Sequence, residues 1–381
     1  MKRRVVILTE IIAPYRIAVF NALAERPEID LHVLFLSETD PSLRQWSIYE
    51  DEIRFSYRVL PHWRKRIGRY NVLLNRGVTT TLNQISPDAI VCGGYSYVSS
   101  WRAAAWARDH GVPLFLWSES TAKDIRNDRR TVEFLKSKFL NRCSAFVVPG
   151  KSAFAYLCDL GVMQRSIFTA PNAVDTELFS RMAQAVNGAQ VRQRWALPDR
   201  FFLYVGRLVI EKGIFELLEA YARLDRELRS KVGLVFVGDG SAKSELLRRI
   251  AVIRTGSIHC MGFMQREYLA DLYATAEALV LPTYTDTWGL VINEAMSCSL
   301  PIITSTVAGA AEDLVQDGWN GLLIPPKDIK ALSSALCLLA QRPELREQMR
   351  LRSAQRIAAY SPGNWASGLV QALETVCTSA T

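Results

Sequence analysis

Short apolar runs alternate with amphipathic segments along both halves of the chain. In the first half the runs predict strands at residues 5–9, 31–36, 89–92, 113–117 and 145–148. In the second half they predict strands at residues 201–205, 234–237, 278–281, 301–304 and 321–324. Helices are predicted between them at residues 15–25, 101–110, 152–160, 213–224, 242–250, 268–275, 290–298 and 329–339. Buried runs that alternate with helices are typical of parallel sheets covered on both faces.

The length of 381 residues suits two domains of roughly 150 to 200 residues each. Two such α/β units in tandem imply two Rossmann-like domains with mainly parallel sheets. We place the first domain at residues 1–180 and the second at 181–360, because residues 180–194 are polar and carry Gly188, as a linker would. The remaining residues, 361–381, contain a last predicted helix at 364–376.

Composition and charge narrow the class of protein. With 49% apolar and 22% charged residues, the chain is globular and not disordered. The formal net charge is +8, and most of the excess cations precede residue 181, which favours an anionic partner for the first domain. Seven cysteines without a CxxC pair indicate a reducing, cytoplasmic location. Four isolated histidines give little support to a zinc site.

The segment from Gly206 to Gly213 combines glycines with two cations after a buried strand. Arg207 offers a planar fork for phosphate oxygens, and Lys212 offers a point charge. Gly206 lets the backbone approach a ligand, and Gly213 precedes a helix whose N-terminus favours anions. Such cations also stabilise charge that develops on a departing phosphate group. Taken alone, the two cations are equally well explained as solvated side chains on a loop.

The segment from Asp286 to Glu294 is more specific, because it places two carboxylates eight positions apart around the predicted start of a helix. Thr287, Trp288, Gly289 and Leu290 form the turn into that helix. The backbone N–H groups at this helix start suit phosphate oxygens. We expect Asp286 to accept hydrogen bonds from sugar hydroxyls and Glu294 to accept them from the two hydroxyls of a ribose. The ordinary alternative is an N-cap acid followed by a surface glutamate.

The order of these motifs resembles the donor site of the retaining glycosyltransferases of family 4, also called group 1. The two carboxylates resemble the E-x7-E motif of that family, and the turn Gly238-Asp239-Gly240 resembles its strand-end turn. Further matching segments are Pro171 to Asp175, Met261-Gly262-Phe263-Met264, Gly309 with Asp313, and Asn320 to Leu323. The resemblance runs from about residue 140 to 330 and is weaker before that.

The resemblance implies a GT-B architecture, in which two Rossmann-like domains face a central cleft. The second domain would bind a nucleotide-diphosphate sugar, with UDP the commonest base in the family, and the first would bind a glycan or lipid-linked saccharide acceptor. Phe263 and Met264 would contact the base through their backbone, and Gly238 would line the donor site. The family needs no metal ion or other cofactor, and no Asp-x-Asp pair of the kind that metal-dependent glycosyltransferases use occurs in the chain. The last helix would cross back to the first domain.

Three departures from the family pattern stand out. Asp286 replaces the usual first glutamate and is one methylene shorter. The first loop, from Thr9 to Arg16, lacks the Gly-Gly pair of many members. Ser118-Glu119-Ser120 stands where many members carry a histidine, so Glu119 is the candidate for positioning the acceptor or stabilising positive charge at the sugar; a helix-cap acid is an equally good interpretation.

Two basic stretches, residues 63–70 and 123–142, carry much of the positive charge of the first domain. Family members that act on lipid-linked saccharides dock on anionic bilayers through such surfaces, so peripheral contact with the inner face of the cell membrane is one expectation. A solvated basic face is the alternative. Nucleic acid is a poorer partner, because no recognition module is evident.

Three other functions remain open at this point. A GT-B nucleotide-sugar epimerase would act without an acceptor, although its usual histidine and acid set is not evident. A dinucleotide oxidoreductase is disfavoured, because the segment from Gly238 to Lys243 fails the GxGxxG pattern at its last position. A non-catalytic nucleotide-sugar-binding subunit would account for Asp286 and the missing histidine.

Overall fold

The computed structural model of the protein describes residues 2–40, 46–67, 70–122, 130–253 and 257–378. Parts of the two basic stretches, residues 68, 69 and 123–129, lie outside these residues. The described chain divides into two compact units. The first holds residues up to 122, residues 130–172 and the terminal residues 362–378, and the second holds residues 173–361.

Within its described residues, the first unit has nine strands and five α-helices before the chain enters the second unit. The strands are β1 (Arg3–Thr9), β2 (Ile29–Phe35), β3 (Ser56–Val59), β4 (His62–Ile67), β5 (Tyr70–Asn75), β6 (Ala89–Cys92), β7 (Leu114–Trp117), β8 (Ala145–Val148) and β9 (Ile167–Thr169). The helices are α1 (Pro14–Ala24), α2 (Val78–Ile85), α3 (Val98–His110), α4 (Arg130–Leu140) and α5 (Lys151–Asp159).

Seven of these strands form a parallel sheet in the order β3-β2-β1-β6-β7-β8-β9. The strands β4 and β5 form a separate antiparallel hairpin. The sheet order reverses between β1 and β6, so the loops after these two strands diverge at the carboxyl edge of the sheet. Such a divergence opens the crevice in which α/β proteins bind ligands.

The described residues of the second unit form six strands and ten α-helices. The strands are β10 (Phe201–Val205), β11 (Gly233–Val237), β12 (Ile258–Cys260), β13 (Ala278–Leu281), β14 (Ile302–Ser305) and β15 (Gly321–Ile324). The first five helices are α6 (Thr176–Gln184), α7 (Gly188–Trp195), α8 (Ile214–Ala222), α9 (Arg226–Lys231) and α10 (Lys243–Ala251). The others are α11 (Arg266–Thr275), α12 (Leu290–Ser297), α13 (Ala311–Leu314), α14 (Ile329–Gln341) and α15 (Pro343–Ile357).

All six strands of the second unit are parallel, in the order β12-β11-β10-β13-β14-β15. This is the strand order of a Rossmann fold, and its reversal lies between β10 and β13. Every residue of β10, β11 and β13 is buried, which explains why these strands are continuous apolar runs in the sequence.

The polar segment at residues 180–194, predicted to be a linker, contains the end of α6 and most of α7. The Asp175 carboxylate caps α6 by accepting a hydrogen bond from the Leu178 N–H at 2.9 Å. Asn187 caps α7 in the same way. Phe179 is buried and lies 6.3 Å from the Tyr273 ring, so α6 packs inside the second unit. The second unit therefore begins at Ala173, earlier than the predicted residue 181.

The last helix, α16 (Pro362–Thr378), packs within the first unit. The buried Trp365 ring lies 5.9 Å from the ring of Phe20 on α1 and 5.1 Å from that of Trp117 on β7. The Arg26 guanidinium donates a hydrogen bond to the Gly363 carbonyl at 3.2 Å. None of the helices among the described residues combines the length and apolar character needed to cross a lipid bilayer.

Candidate functional site

The two loops that carry the predicted motifs leave the second sheet at its point of strand reversal. The segment from Gly206 to Gly213 follows β10, and the segment from Asp286 to Glu294 follows β13. Because β10 and β13 are parallel neighbours, both loops begin at the same edge of the sheet. The fold therefore brings together two segments that are about 80 positions apart in the sequence.

The loop after β10 is held by backbone hydrogen bonds to the loop after β11. The Gly206 N–H donates to the Val237 carbonyl at 3.0 Å, and the Leu208 N–H donates to the Asp239 carbonyl at 2.8 Å. Between them, the hydroxyl of the buried Tyr204 donates to the Arg207 carbonyl at 2.8 Å. These bonds fix the backbone of Arg207 while its side chain remains exposed to solvent.

Gly238 cannot be replaced by a larger residue without moving this loop. Its φ is +135°, and a Cβ at this position would lie 1.9 Å from the Gly206 carbonyl oxygen. The close approach of the two loops thus depends on the missing side chain. The predicted contribution of Gly206 and Gly238 is in this sense structural, because together they shape the loop that presents Arg207.

Lys212 and Asp286 form the centre of the site. The Lys212 Nζ lies 2.5 Å from Asp286 Oδ2 and donates to the Thr285 carbonyl at 3.3 Å. Both side chains are mostly buried. Gly213 adopts a φ of +69° directly after Lys212, and a Cβ there would lie 2.1 Å from the Pro282 carbonyl oxygen. The cation and the carboxylate predicted from separate motifs are therefore in direct contact.

The start of α12 leaves backbone donors for a ligand. Among the described residues, no side chain caps this helix, which begins at Leu290 after Gly289 with a φ of +95°. The first N–H groups of a helix have no partner inside it, and they favour an anion. The Gly309 N–H donates to the Asp286 carbonyl at 3.0 Å, which holds the loop in place. Thr287 lies against the same glycine, since a Cβ on Gly309 would be 1.9 Å from the Thr287 carbonyl oxygen.

The ring of Trp288 belongs to the core of the second unit. It is buried, and its Nε1–H donates to Asn293 Oδ1 at 2.8 Å. The Trp288 backbone N–H lies 3.3 Å from Asp286 Oδ1. A ligand could therefore meet the backbone at this position but not the indole face.

Glu294 lies on the second turn of α12 with its carboxyl group deep in the protein. The hydroxyl of Tyr273 donates to Glu294 Oε2 at 2.8 Å. Burial raises the pKa of this carboxyl from 4.5 to about 7, and the hydrogen bond from Tyr273 opposes part of that rise. The residue as a whole is half-buried.

Phe263 and Met264 follow the short edge strand β12. The Gly238 N–H donates to the Gly262 carbonyl at 2.7 Å, which ties this segment to the loop after β11. The Phe263 side chain is exposed, whereas Met264 is buried. Among the predicted donor-site residues, Phe263 thus presents an aromatic surface to solvent, next to the turn that begins at Gly238.

Glu119 lies in the first unit. It follows β7, and its Oε1 lies 3.7 Å from Arg16 Nη2. The Arg16 guanidinium stacks 4.4 Å from the centre of the Trp117 ring and donates to Thr9 Oγ1 at 2.7 Å. Glu119 is therefore held at the carboxyl edge of the first sheet by a cation that is itself fixed.

A second charged cluster at this edge was missed by the sequence analysis. Arg64, on the inner face of the hairpin, pairs with the buried Asp40 and lies 3.6 Å from Glu10 Oε1. The phenol of Tyr97 hydrogen-bonds to Glu10, and burial, followed by the charge of Glu10, raises the pKa of the Tyr97 hydroxyl well above its ordinary range. One signal was available, since Glu10 directly follows a buried strand. Arg64 gave no such signal, because it lies in a stretch of exposed cations.

The described part of the chain contains no group of three or more His, Cys, Asp or Glu side chains placed to hold a metal ion.

Known proteins resemble the chain in sequence and in fold. The Alpha-D-kanosaminyltransferase of Streptomyces kanamyceticus is 35% identical over 173 residues, which cover 45% of this chain and 44% of that protein. A GDP-mannose-dependent alpha-(1-6)-phosphatidylinositol dimannoside mannosyltransferase of Mycobacterium tuberculosis is 27% identical over 305 residues, which cover 76% of this chain and 74% of that protein. The chain spans less than half the length of several curated relatives that it matches.

The crystal structure of Anabaena Alr3699/HepE in complex with UDP superposes with a TM-score of 0.78 at 17% identity and covers 98% of this chain and 100% of that one. This likeness confirms the predicted GT-B fold class. The family model for "Glycosyltransferase Family 4" matches residues 18–178, and the model for "Glycosyl transferases group 1" matches residues 189–356. The two matches together span most of both units, and the chain belongs to the group 1, or family 4, glycosyltransferases.

Proposed function

We propose that the protein transfers a glycosyl group from a nucleotide-diphosphate sugar to a hydroxyl group of a saccharide acceptor. The observation that carries this proposal is the contact between Lys212 and Asp286 beside the uncapped start of α12. A sugar diphosphate presents anionic oxygens next to hydroxyl donors. A cation, a carboxylate and free backbone N–H groups match these two kinds of group within one site.

The proposed mechanism is electrostatic. As the bond between the anomeric carbon and the diphosphate oxygen breaks, negative charge grows on the leaving diphosphate. Arg207, Lys212 and the N–H groups at the start of α12 stabilise this charge. The acceptor hydroxyl attacks from the face that the diphosphate leaves, and its proton passes to the departing diphosphate oxygen. The configuration at the anomeric carbon is retained, and the step requires neither a protein base nor a metal ion.

The donor nucleotide is proposed to bind through Glu294 and Phe263. A carboxylate accepts hydrogen bonds from both hydroxyls of a ribose, and Glu294 is fixed for this by its bond from Tyr273. UDP is the first choice of base, because Anabaena HepE was solved with UDP. GDP is the second, because the mycobacterial relative is named for GDP-mannose.

The acceptor is proposed to bind at the carboxyl edge of the first sheet, where Glu10 and Glu119 are each held by an arginine. Carboxylates fixed in this way suit the hydroxyl groups of a saccharide. We propose a glycan or lipid-linked saccharide acceptor and a role in polysaccharide synthesis. The corresponding location is the cytoplasm, with peripheral contact to the inner face of the membrane.

The test compares turnover of the full chain with that of Arg207→Ala and Lys212→Ala, using a panel of nucleotide sugars and saccharide acceptors. Removing one donor to a developing anion typically lowers kcat about 100-fold or more, so each variant should lose at least that much. Lys330→Ala is the matched control, because Lys330 is an exposed cation on α14. Near-normal turnover in both site variants would contradict the assigned diphosphate site.

The same assay separates the alternatives. Free sugar or an epimer formed without an acceptor would indicate an epimerase or hydrolase. Donor binding without any turnover would indicate a non-catalytic binding subunit. The anomeric configuration of the product, read by NMR, tests the retaining mechanism.

A further inference from the structure

A surface groove of about 580 Å³ lies between the hairpin of β4 and β5 and the start of α3 in the first unit. Binding sites for small molecules have volumes of this order. Trp63 and Leu74 line the groove from the hairpin, and Val98 lines it from α3. The exposed fractions of these three residues are 50%, 43% and 47%. A concave apolar surface that stays open to solvent indicates a place where a ligand binds.

Trp63 gives the groove a flat aromatic wall. Trp63 and Leu74 are opposite each other in the antiparallel register, so their side chains share one face of the hairpin. The neighbouring pair of Arg64 and Leu73 lies on the other face, where Leu73 is buried. One face thus anchors the hairpin, and the other presents the indole to solvent. An exposed indole packs well against the C–H face of a sugar ring, because that face is apolar although the edge of the ring is polar.

Two arginines line the same groove. Arg76 directly follows β5, and Arg102 lies one turn after Val98 on the same face of α3. Within the described part of the chain, neither arginine forms an ion pair with a carboxylate. The Arg102 Nη1 donates to the Asn75 carbonyl at 3.0 Å, and the other donors of this guanidinium have no acceptor among the described residues. Two guanidinium groups at one groove favour a negatively charged ligand.

Buried hydrogen bonds set the position of Arg102. Asn75 is 4% exposed, its Nδ2 donates to the Leu36 carbonyl at 2.6 Å, and the Ser99 hydroxyl donates to its Oδ1 at 2.8 Å. With its side chain bonded at both polar atoms, Asn75 holds its own carbonyl in place for Arg102. A guanidinium that is fixed in advance loses less conformational entropy on binding an anion than a free surface arginine does.

The groove adjoins the edge of the first sheet at which the acceptor is proposed to bind. His62 lines the groove, and its Nε2 lies 3.2 Å from the Ser37 hydroxyl. The Ser37 N–H in turn donates to the Glu10 carbonyl at 2.9 Å. Two hydrogen bonds therefore connect the lining of the groove with the backbone of Glu10.

We propose that this groove binds a negatively charged sugar residue of the acceptor. The sugar ring packs on Trp63, and its carboxylate or phosphate group accepts hydrogen bonds from Arg102 and Arg76. Both kinds of group present two oxygens that a guanidinium fork matches. A neutral sugar would gain the contact with the indole but leave both cations without a partner. The inference rests on the proposed function, because it names the class of acceptor for that transfer.

The test compares methyl β-D-glucuronide with methyl β-D-glucoside, which differ only in the carboxylate that replaces a hydroxymethyl group. Dissociation constants for the full chain are measured by ligand-detected NMR in the absence of a nucleotide sugar. Methyl β-D-glucoside 6-phosphate shows whether a phosphate serves in place of the carboxylate. The glucuronide should bind at least about 10-fold more tightly than the glucoside, because hydrogen bonds between charged groups stabilise more than neutral ones. Acetate at an equal concentration should not displace it.

Single variants separate the two parts of the site. Arg102→Gln should bring the ratio of the two dissociation constants close to one while binding of the glucoside stays unchanged. Arg76→Gln should lower the ratio less, because no recorded hydrogen bond fixes its guanidinium. Trp63→Ala should weaken the binding of both glycosides by a similar factor and keep the ratio. The controls, Arg165→Gln and Met163→Ala, change an exposed cation and an exposed apolar residue of the first unit outside the groove.

Both controls should bind the glycosides as the unaltered chain does, and all variants should keep their melting temperature. Equal binding of the two glycosides overturns the inference, and so does an unchanged ratio in Arg102→Gln. Displacement of the glucuronide by acetate also overturns it, because the groove would then accept any carboxylate. A dimer that Trp63→Ala disperses, in a chain that binds neither glycoside, overturns it in favour of a second copy.

The same variants distinguish this inference from the proposed function. Transfer to neutral acceptors alone, at a rate that Arg102→Gln leaves unchanged, overturns the inference and supports the proposed function. Selective binding of the glucuronide that depends on Arg102, without transfer to any acceptor, leaves the anionic-sugar site standing and contradicts the proposed function.

Discussion

The carboxyl edges of the two sheets carry charged clusters that are built in different ways. In the second unit, Lys212 and Asp286 are positioned by loops whose backbones bond directly to one another. In the first unit, Arg64 reaches Asp40 and Glu10 with a long side chain from a separate hairpin. One cluster depends on the path of the backbone, and the other depends on the pairing of side chains.

This difference explains why the two clusters leave different traces in a sequence. A backbone path that allows no side chain requires glycine at fixed places, which a motif records. A cluster of long side chains only requires that opposite charges reach each other from distant segments. We expect the second unit to respond most strongly to changes in its glycines, and the first unit to changes in its ion pairs.

The largest effect should come from Gly238→Ala. The added Cβ would lie 1.9 Å from the Gly206 carbonyl oxygen at a φ of +135°, so both loops must move. A clash of this kind together with an unfavourable φ should cost more than about 4 kcal/mol of unfolding free energy and abolish nucleotide binding. Urea unfolding and nucleotide titration measure both.

The matched control is Gly318→Ala, in the same unit. Gly318 has a φ of +70°, and an added Cβ would meet no atom within 4 Å. Only the backbone strain applies there, so the loss should be about 1 kcal/mol. Equal losses in the two variants would show that the contact between the loops is unimportant.

The next largest effect should come from Arg64→Met in the first unit. Asp40 is 2% exposed, so the variant leaves a buried carboxylate without its guanidinium. Breaking a buried pair in this way typically costs about 3 to 4 kcal/mol, which urea unfolding would detect. The double variant Arg64→Met/Asp40→Leu should recover much of that loss. If the single variant is as stable as the unaltered chain, the pair does not hold the cluster.

A smaller effect is the pH dependence that Glu294 gives to the free energy of unfolding of the second unit. Its folded pKa of about 7 lies above the ordinary value of 4.5, so the native chain holds a proton that the unfolded chain has released. The stabilisation of the native chain by this bound proton is complete below pH 4.5 and is lost as the pH rises through 7. Between pH 5 and 8 the free energy of unfolding should fall by roughly 2 to 3 kcal/mol from this group.

Glu294→Gln tests this origin, because the amide keeps an oxygen that accepts from Tyr273 but does not titrate. Urea unfolding across the same pH range should show a shallower decline in the variant. An identical decline in both proteins would assign the pH dependence to other groups.

The sequence predicted most of the central sheet strands and the two loops of the second unit that carry Lys212 and Asp286. Buried parallel strands such as β10 and β13 are uninterrupted apolar runs, and Lys212 and Asp286 each follow one of them. The short edge strands β3, β9 and β12 were missed, since an edge position needs no continuous apolar run.

Pairings between distant segments could not be predicted. The hairpin was interpreted as a basic stretch, because its period-two alternation is masked by cations on both faces. The position of the Trp288 ring is a second example. The sequence analysis placed Trp288 in the turn of the donor site, but its ring is buried and its Nε1–H donates to Asn293, a bond that depends on how the helix packs. The roles assigned to the candidate catalytic and donor-binding residues stay predictions.

The central claim is that the second unit binds a nucleoside diphosphate through Lys212. The most direct measurement is the melting temperature of the unaltered chain and of Lys212→Ala with UDP, GDP, ADP, dTDP or NAD. A ligand at 100 times its Kd adds about 2.7 kcal/mol to stability, which gives a clear shift. The account predicts a shift with one nucleoside diphosphate, none with NAD, and a much smaller shift in Lys212→Ala. A shift with NAD alone, or an equal shift in the variant, would contradict it.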